Sequence, residues 1–169
     1  SLKMPLSNAI IDFYKQSNGL SFEWSKGESG GGINFLPMEE MFAGEHWWRH
    51  DDWNDTEIFK DVLWFGEEDE LKIIKRLKPL ELISGSSDFI GFLINELGEF
   101  ELYYSYGRNN IIKLPIGIDK YIQLSVRLLG LYGWQEYYLK DSDTVRSRVG
   151  LLEEILQFFP DFKEAEFLS

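Results

Sequence analysis

The stretch DFIGFLINELGEFELYYSYGRNNIIKLP at residues 88–115 decides the fold of this 169-residue chain. It contains three runs rich in β-branched and aromatic residues, which are separated by glycine-containing turns at residues 96–99 and 107–110. Runs of this length and composition are typical of strands, and such short connections favour hairpins. The stretch therefore predicts three consecutive antiparallel strands in a meander.

Apolar runs upstream of this stretch predict further strands. Residues 20–24 alternate apolar and polar side chains, and residues 33–36 form a second run. The glycine-rich sequence KGESGGG at 26–32 lies between them, so we expect a hairpin with a flexible turn. Two more runs, at residues 62–65 and 79–83, predict a short central strand and one further strand.

Four segments outside the predicted strands show the spacing of apolar residues that is typical of helices. Residues 5–17, 38–42 and 118–129 each place apolar residues on one side of a helix, and residues 134–139 predict a further helical turn. Combined with the strands, these helices predict an α+β fold in which a mostly antiparallel or mixed sheet is backed by helices.

The C-terminal part of the chain predicts one more helix, at about residues 142–159. Ser142 or Asp143 can cap its start, and Pro160 ends it. Its predicted inner face consists of Val145, Val149, Leu152, Ile155, Leu156 and Phe159. Because no internal repeat or linker interrupts the chain, we expect residues 1–169 to form a single domain, with an acidic, Trp-rich insertion at about 44–61.

The composition limits the classes of partner and chemistry. The chain carries 29 Asp and Glu against 17 Lys and Arg, a formal net charge of −12. Nucleic acid and anionic membrane surfaces are not expected as partners, because both are bound through clustered Lys and Arg. The absence of cysteine excludes disulfides, thiolate metal ligands and a cysteine nucleophile. Since no apolar run reaches the ~20 residues that span a bilayer and no signal-peptide pattern is visible, we expect a cytoplasmic protein.

Residues 39–70 carry most of the net charge and most of the tryptophans. This acidic segment contains twelve Asp and Glu against Arg49 and Lys60, together with four of the six tryptophans. Acidic tails that only solvate a protein contain few aromatic residues, whereas aromatic anchors and concentrated charge are favoured at protein interfaces. The segment therefore predicts binding to a basic protein partner. The predicted contact residues are Trp47, Trp48, Asp51, Asp52, Trp53 and Asp55.

Patterns that would indicate catalysis are weak. His46 and His50 are four residues apart, and a nearby carboxylate could complete a metal site, but the residue after His46 is Trp47 and not the glutamate of the zinc-protease pattern. Exposed residues in a polar segment explain the two histidines better. The glycine-rich sequence at 26–32 lacks the closing Gly-Lys-Ser/Thr of a phosphate-binding loop. We therefore expect no enzyme activity, cofactor or metal.

Two sequence elements together form a recognisable pattern. The first element ends the first helix and consists of Phe13, Tyr14, Asn18 and Gly19. The second follows a strand and consists of Ile33, Leu36, Pro37, Glu39 and Glu40. With these two elements the chain resembles the SUKH superfamily, the Smi/Knr-type domains. The resemblance covers roughly residues 5–130, although the Asp- and Gly-rich turn that usually precedes the meander in this family is replaced by residues 84–88, SGSSD.

The resemblance implies a single α+β domain without a catalytic motif. Many bacterial members look like immunity proteins that neutralise secreted polymorphic toxins, often nucleases, and fungal relatives act as regulatory scaffolds. The leading hypothesis is therefore an immunity protein that blocks a basic toxin domain through its acidic segment. An adaptor that binds a host protein is the alternative, and a metal-dependent enzyme that uses His46 and His50 is the third hypothesis.

Overall fold

A computed structural model of the chain describes residues 8–42, 73, 76–83, 88–106, 110–140 and 147–168. The strand predicted at 62–65 and both proposed helix caps, Ser142 and Asp143, lie outside these residues.

The described strands form one antiparallel sheet of six strands. The strands are β1 (Leu20–Lys26), β2 (Ser29–Phe35), β3 (Lys78–Leu82), β4 (Phe89–Ile94), β5 (Phe100–Tyr106) and β6 (Asn110–Lys113). Their order in the sheet is their order in the chain, and each neighbouring pair is antiparallel. The predicted meander is confirmed as β4, β5 and β6.

Helices precede, interrupt and follow the sheet. They are α1 (Asn8–Gln16), α2 (Met38–Met41), α3 (Ile118–Arg127), a 3-10 helix (Trp134–Tyr138), α4 (Arg148–Phe158) and α5 (Ala165–Leu168). The chain is therefore an α+β domain, as the sequence predicts. Ser147 caps α4, because its side-chain oxygen accepts a hydrogen bond from the backbone N–H of Gly150 at 3.1 Å.

The main hydrophobic core lies between one face of the sheet and the helices. The strands contribute Ile90, Phe92 and Leu102, and α3 contributes Tyr121 and Leu124, all of which are buried. The opposite face of the sheet carries a smaller cluster of buried residues, formed by Leu77, Tyr103 and Ile111. Alternation along the strands places these two sets on opposite faces.

The inner face predicted for the last helix is only partly correct. Ile155 is buried and both Leu152 and Phe159 pack against the core, as predicted, but two other members of the face are exposed. Val149 is 65% exposed and Leu156 is 46% exposed, whereas the buried residues of α4 are Leu151 and Ile155. Apolar residues surround most of this helix, so its periodicity alone does not fix which side faces inward. Packing against the 3-10 helix fixes that orientation.

The connection between β2 and β3 is far longer than the others in the sheet. It runs for 42 residues, from 36 to 77, whereas the other neighbouring strands are joined by two to six residues. Even so, β2 and β3 are paired directly, with Phe35 opposite Glu81. The long connection therefore joins two neighbouring strands, and it contains the whole acidic segment.

Candidate functional site

The two sequence elements that carry the family resemblance meet in space. The hydroxyl of Tyr14 donates to the carbonyl oxygen of Leu36 at 3.1 Å. The side chain of Asn18 makes two contacts with α2: its Oδ1 accepts the backbone N–H of Met38 at 3.0 Å, and its Nδ2 donates to Glu39 at 2.7 Å. Asn18 therefore satisfies a free N–H at the start of α2, where Pro37 offers no side-chain cap.

Gly19 makes this contact possible. Its φ is +95°, and a Cβ at this position would lie 2.9 Å from the carbonyl oxygen of Phe35 and 3.0 Å from the nitrogen of Pro37. Only glycine combines that backbone conformation with that close approach. The end of α1 and the start of α2 thus form one joint, from which the chain enters the acidic segment.

The predicted hairpin between residues 20–24 and 33–36 is confirmed, but its turn is shorter than predicted, because most of the glycine-rich stretch at 26–32 is strand. The turn consists of Gly27 and Glu28 alone, and residues 29–32 belong to β2. Glycine has a low strand propensity and leaves no alternating pattern to recognise. In this fold the absence of side chains at these glycines allows other parts of the chain to pack closely against the strand.

Residues 130–132 approach β2 on the side away from β1. The backbone N–H of Gly32 donates to the carbonyl oxygen of Gly130 at 2.9 Å, and that of Tyr132 donates to Gly30 at 3.0 Å. Gly130 has a φ of +61°, and a Cβ on it would overlap the carbonyl oxygen of Gly32. Glycine at position 130 is therefore required both by its conformation and by the close approach.

Two aromatic rings lie where side chains at residues 30 and 31 would otherwise be. Trp24 donates its indole N–H to the carbonyl oxygen of Leu129 at 2.8 Å, and a Cβ on Gly31 would lie 2.5 Å from that indole nitrogen. A Cβ on Gly30 would lie 3.2 Å from the ring of Tyr132. The glycines of β2 therefore set the positions of both rings.

These rings border an open groove at the end of the β1–β2 hairpin, with a volume of about 430 Å³. This hairpin groove is lined by Glu23, Trp24, Ser25, Gly27, Glu28, Ser29, Gly30 and Tyr132. The lining combines two exposed carboxylates, two hydroxyls and a Tyr132 ring that is 39% exposed. Lys26 is not part of it, because its ammonium group lies over the ring of Phe158, 5.5 Å from the ring centre.

A second cluster of the same residue types is completely buried. Glu81 lies on β3 at a break in the register with β4, between Pro79 and Glu81, and both Leu80 and Glu81 are buried. A bulge of this kind can turn a side chain that strand alternation would place on the other face. The Glu81 carboxylate accepts hydrogen bonds from the hydroxyl of Tyr121 and from the backbone N–H of Asn34.

This buried cluster continues through Tyr121. The side-chain amide of Gln135 donates to the Tyr121 hydroxyl oxygen at 3.0 Å, and the Tyr121 ring lies 5.1 Å from the ring of Trp134. Burial raises the pKa of Glu81 to about 7, although the hydrogen bonds from Tyr121 and Asn34 act in the opposite direction. Burial and the charge of Glu81 raise the pKa of Tyr121 well above its usual value. Because Glu81 bonds to both β2 and α3, the cluster holds the sheet to the helix.

A third glutamate, Glu101, lies on the opposite face of the sheet. Lys113 donates to its carboxylate at 2.7 Å and the hydroxyl of Tyr103 donates at 3.0 Å. The hydrogen bond from Lys113, with that from Tyr103, lowers the pKa of Glu101. Glu101 therefore provides a partly exposed counterpart to Glu81.

The residues predicted to form the partner-binding site lie outside the described residues. These are Trp47, Trp48, Asp51, Asp52, Trp53 and Asp55, and the same holds for His46 and His50. Of the two tryptophans in the described residues, Trp134 at the start of the 3-10 helix is fully buried, and Trp24 on β1 is partly buried and packs against the core. The burial of Glu81 is not predicted from the sequence, because alternation in the PLELI run at 79–83 places this residue on the solvent side. The hairpin groove is not predicted either, because its local signal is limited to a Gly-Gly-Gly run beside a strand that contains tryptophan.

Comparisons with known proteins found no relative. No protein-family model matches the chain, and no curated protein or solved structure matches it. Within the described parts of the chain, no group of three His, Asp or Glu side chains is arranged to hold a metal ion. Among those same residues, none of the helices combines the length and the apolar character needed to cross a membrane.

Proposed function

We propose that this chain is a non-enzymatic protein-binding domain, an immunity protein of the SUKH type that neutralises a secreted toxin by covering a basic surface. The observation that carries the proposal is the position of the acidic segment. The 42-residue connection that contains all of it runs from β2 to the neighbouring strand β3. Connections of that length are uncommon in compact domains and are usually functional or disordered.

The charge of the segment indicates the class of toxin. Residues 39–70 carry a net charge of −10, from twelve acidic and two basic residues. A nuclease must present cationic side chains to the phosphates of its substrate. An acidic inhibitor is attracted to that same surface and excludes the substrate when it binds. A toxin with nuclease activity therefore fits the segment best.

The joint between α1 and α2 supports the family part of the proposal. The residues that resemble the SUKH pattern are separated in sequence, yet Tyr14 bonds to Leu36 and Asn18 bonds to Met38 and Glu39. A pattern whose members contact one another has a structural reason to occur together. The order of elements, a helix, a hairpin, a short helix, a meander and a helix, also agrees with what the resemblance implies.

The first test is the identity of the partner. An immunity gene is expected to lie directly beside the gene of a large secreted toxin, and the purified chain should bind the C-terminal domain of that toxin. It should also protect cells that express the toxin domain. A chain that binds a host protein, and has no toxin gene beside its own, would instead be the adaptor of the alternative hypothesis.

The second test places the contact. Reversing the charge of Asp51 and Asp52 to lysine should slow association about tenfold or more and flatten its salt dependence. Reversing Glu96 and Glu153, which are both exposed, changes the net charge equally and serves as the control. Association that is insensitive to salt and unchanged in the Asp51→Lys, Asp52→Lys variant would show that the contact lies elsewhere.

A stability control accompanies this test. Replacing Asp51, Asp52 and Asp55 with asparagine should leave the melting temperature unchanged or slightly higher, because crowded carboxylates repel one another. If the triple variant melts far below the wild type, those carboxylates support the fold and the proposal loses its main support.

A further inference from the structure

We propose that the hairpin groove binds an arginine side chain presented by a protein partner. The groove contains none of the residues 43–72, so this contact is separate from the one proposed for the acidic segment.

The charge of the lining indicates a cation. Two of its eight residues, Glu23 and Glu28, are exposed carboxylates, and none of the eight is a lysine or an arginine. The nearest lysine in sequence, Lys26, directs its ammonium group to the Phe158 ring. A cationic guest therefore meets a negatively charged lining.

The aromatic part of the lining favours arginine among the cationic side chains. The Tyr132 ring is 39% exposed, and the backbone of Tyr132 is held against β2 by the hydrogen bond from its N–H to Gly30. A guanidinium group is planar, so it can stack on an aromatic face while its N–H groups bond to a carboxylate. An ammonium group is a compact point charge and makes only one of these contacts well at a time.

The groove is also preorganised. Gly130 fits against Gly32 where a Cβ would overlap, and the Trp24 indole is fixed by its bond to the Leu129 carbonyl oxygen. Binding of a small side chain therefore requires little ordering of the protein, which favours a measurable affinity for a short peptide. The serine hydroxyls of Ser25 and Ser29 add hydrogen-bonding groups at the rim.

The experiment uses the full chain labelled with ¹⁵N and the capped peptide acetyl-Gly-Arg-Gly-amide. We expect saturable shifts of the backbone amides of Gly30 and Tyr132, with a dissociation constant in the millimolar range. The same peptide with citrulline in place of arginine is neutral and has nearly the same shape, so it should give no saturable shift.

Two variants locate the site. Tyr132→Ala and Glu28→Gln should each weaken the affinity about two- to fivefold. Glu96→Gln removes the same charge from the exposed β4–β5 turn, which lies at the opposite end of the sheet, and it should have no effect. Glu28 is in an exposed turn, so its replacement tests the groove even if Tyr132→Ala alters the fold.

Three results would overturn the proposal: an equal response to the citrulline peptide, an arginine response that neither groove variant weakens, or saturable shifts with cellobiose but not with arginine. The last result would assign the groove to a neutral sugar. None of these outcomes bears on Asp51 and Asp52, so failure here is distinguishable from failure of the proposed function.

Discussion

The buried cluster and the hairpin groove each combine a glutamate, a tyrosine and a tryptophan, yet water reaches only one of them. In the buried cluster, Glu81, Tyr121 and Trp134 have at most 1% of their surface exposed, and Glu81 bonds to other groups of the protein. In the groove, Glu23 and Glu28 are exposed and the Tyr132 ring borders open space.

The difference shows that residue type alone does not indicate function. Burial raises the pKa of Glu81 to about 7, so much of its charge is lost near neutral pH and the remaining interactions serve the fold. Carboxylates at an open surface can instead attract and pair with a ligand. Four sets of substitutions test this contrast between buried residues that stabilise the fold and exposed residues that do so less.

The largest expected effect comes from truncating the buried tryptophan. Trp134→Ala removes a fully buried ring and should lower the free energy of unfolding by about 3–5 kcal/mol, through lost transfer energy and the cavity that remains. Phe92→Ala, also inside the core, should behave similarly. Trp24→Ala should cost clearly less, because that ring is partly exposed. Urea unfolding of the three variants gives the comparison, and equal losses for Trp134 and Trp24 would contradict it.

The next largest loss of stability is expected from replacing Gly130, which packs against β2 beside the groove. Gly130→Ala forces a left-handed backbone on alanine and overlaps the Gly32 carbonyl oxygen, so we expect a loss of about 2–4 kcal/mol. Gly27 also has a positive φ, of +66°, but a Cβ there meets nothing within 4 Å. Gly27→Ala is thus a control for backbone strain alone, about 1–2 kcal/mol. Similar melting temperatures for both variants would show that a Cβ at position 130 fits beside the Gly32 carbonyl oxygen without overlap.

The third effect is a pH dependence that Glu81 adds to stability. The pKa of Glu81 is raised from 4.5 to about 7 on folding, so unfolding releases a proton between these values. The contribution of Glu81 is fully present below about pH 4.5 and is lost as the pH rises through 7. Relative to Glu81→Gln, the wild type should therefore lose on the order of 1–3 kcal/mol between pH 4.5 and 8. Urea unfolding at several pH values measures this difference, and parallel curves would show that Glu81 does not titrate in that range.

The smallest effect is expected at Glu101, and it has the opposite sign. The hydrogen bonds from Lys113 and Tyr103 lower its pKa, so its contribution is present above the unfolded-state pKa of 4.5 and is lost as the pH falls below it. Glu101→Gln should destabilise the domain slightly at neutral pH, and this difference should shrink on acidification. Extending the same unfolding series to acid pH tests it. A difference that grows on acidification would be contrary to this expectation.

The sequence predicts the parts of the fold that depend on local patterns. The strands β4 to β6 follow from runs rich in β-branched and aromatic residues and from the glycine-containing turns between them, and α3 follows from its apolar stripe. The direction of Glu81 does not follow, because the bulge beside Pro79 reverses the alternation that a regular strand would show. The hairpin groove does not follow either, since it depends on contacts such as the bond from Trp24 to Leu129, which are 105 residues apart.

The pairing between β2 and β3 divides the sheet into two parts for local unfolding. The ladder at this junction has one residue pair, Phe35 opposite Glu81, next to a hydrogen bond from the Leu36 N–H to the Leu80 carbonyl oxygen. By contrast, β1 and β2 are paired along seven residues. Parts of a protein joined by few hydrogen bonds open separately and exchange their amide hydrogens at different rates. We therefore expect the hairpin β1–β2 and the strands β3–β6 to exchange their amide hydrogens at different rates. The acidic segment links these two parts, so a partner bound across that segment should slow exchange in both.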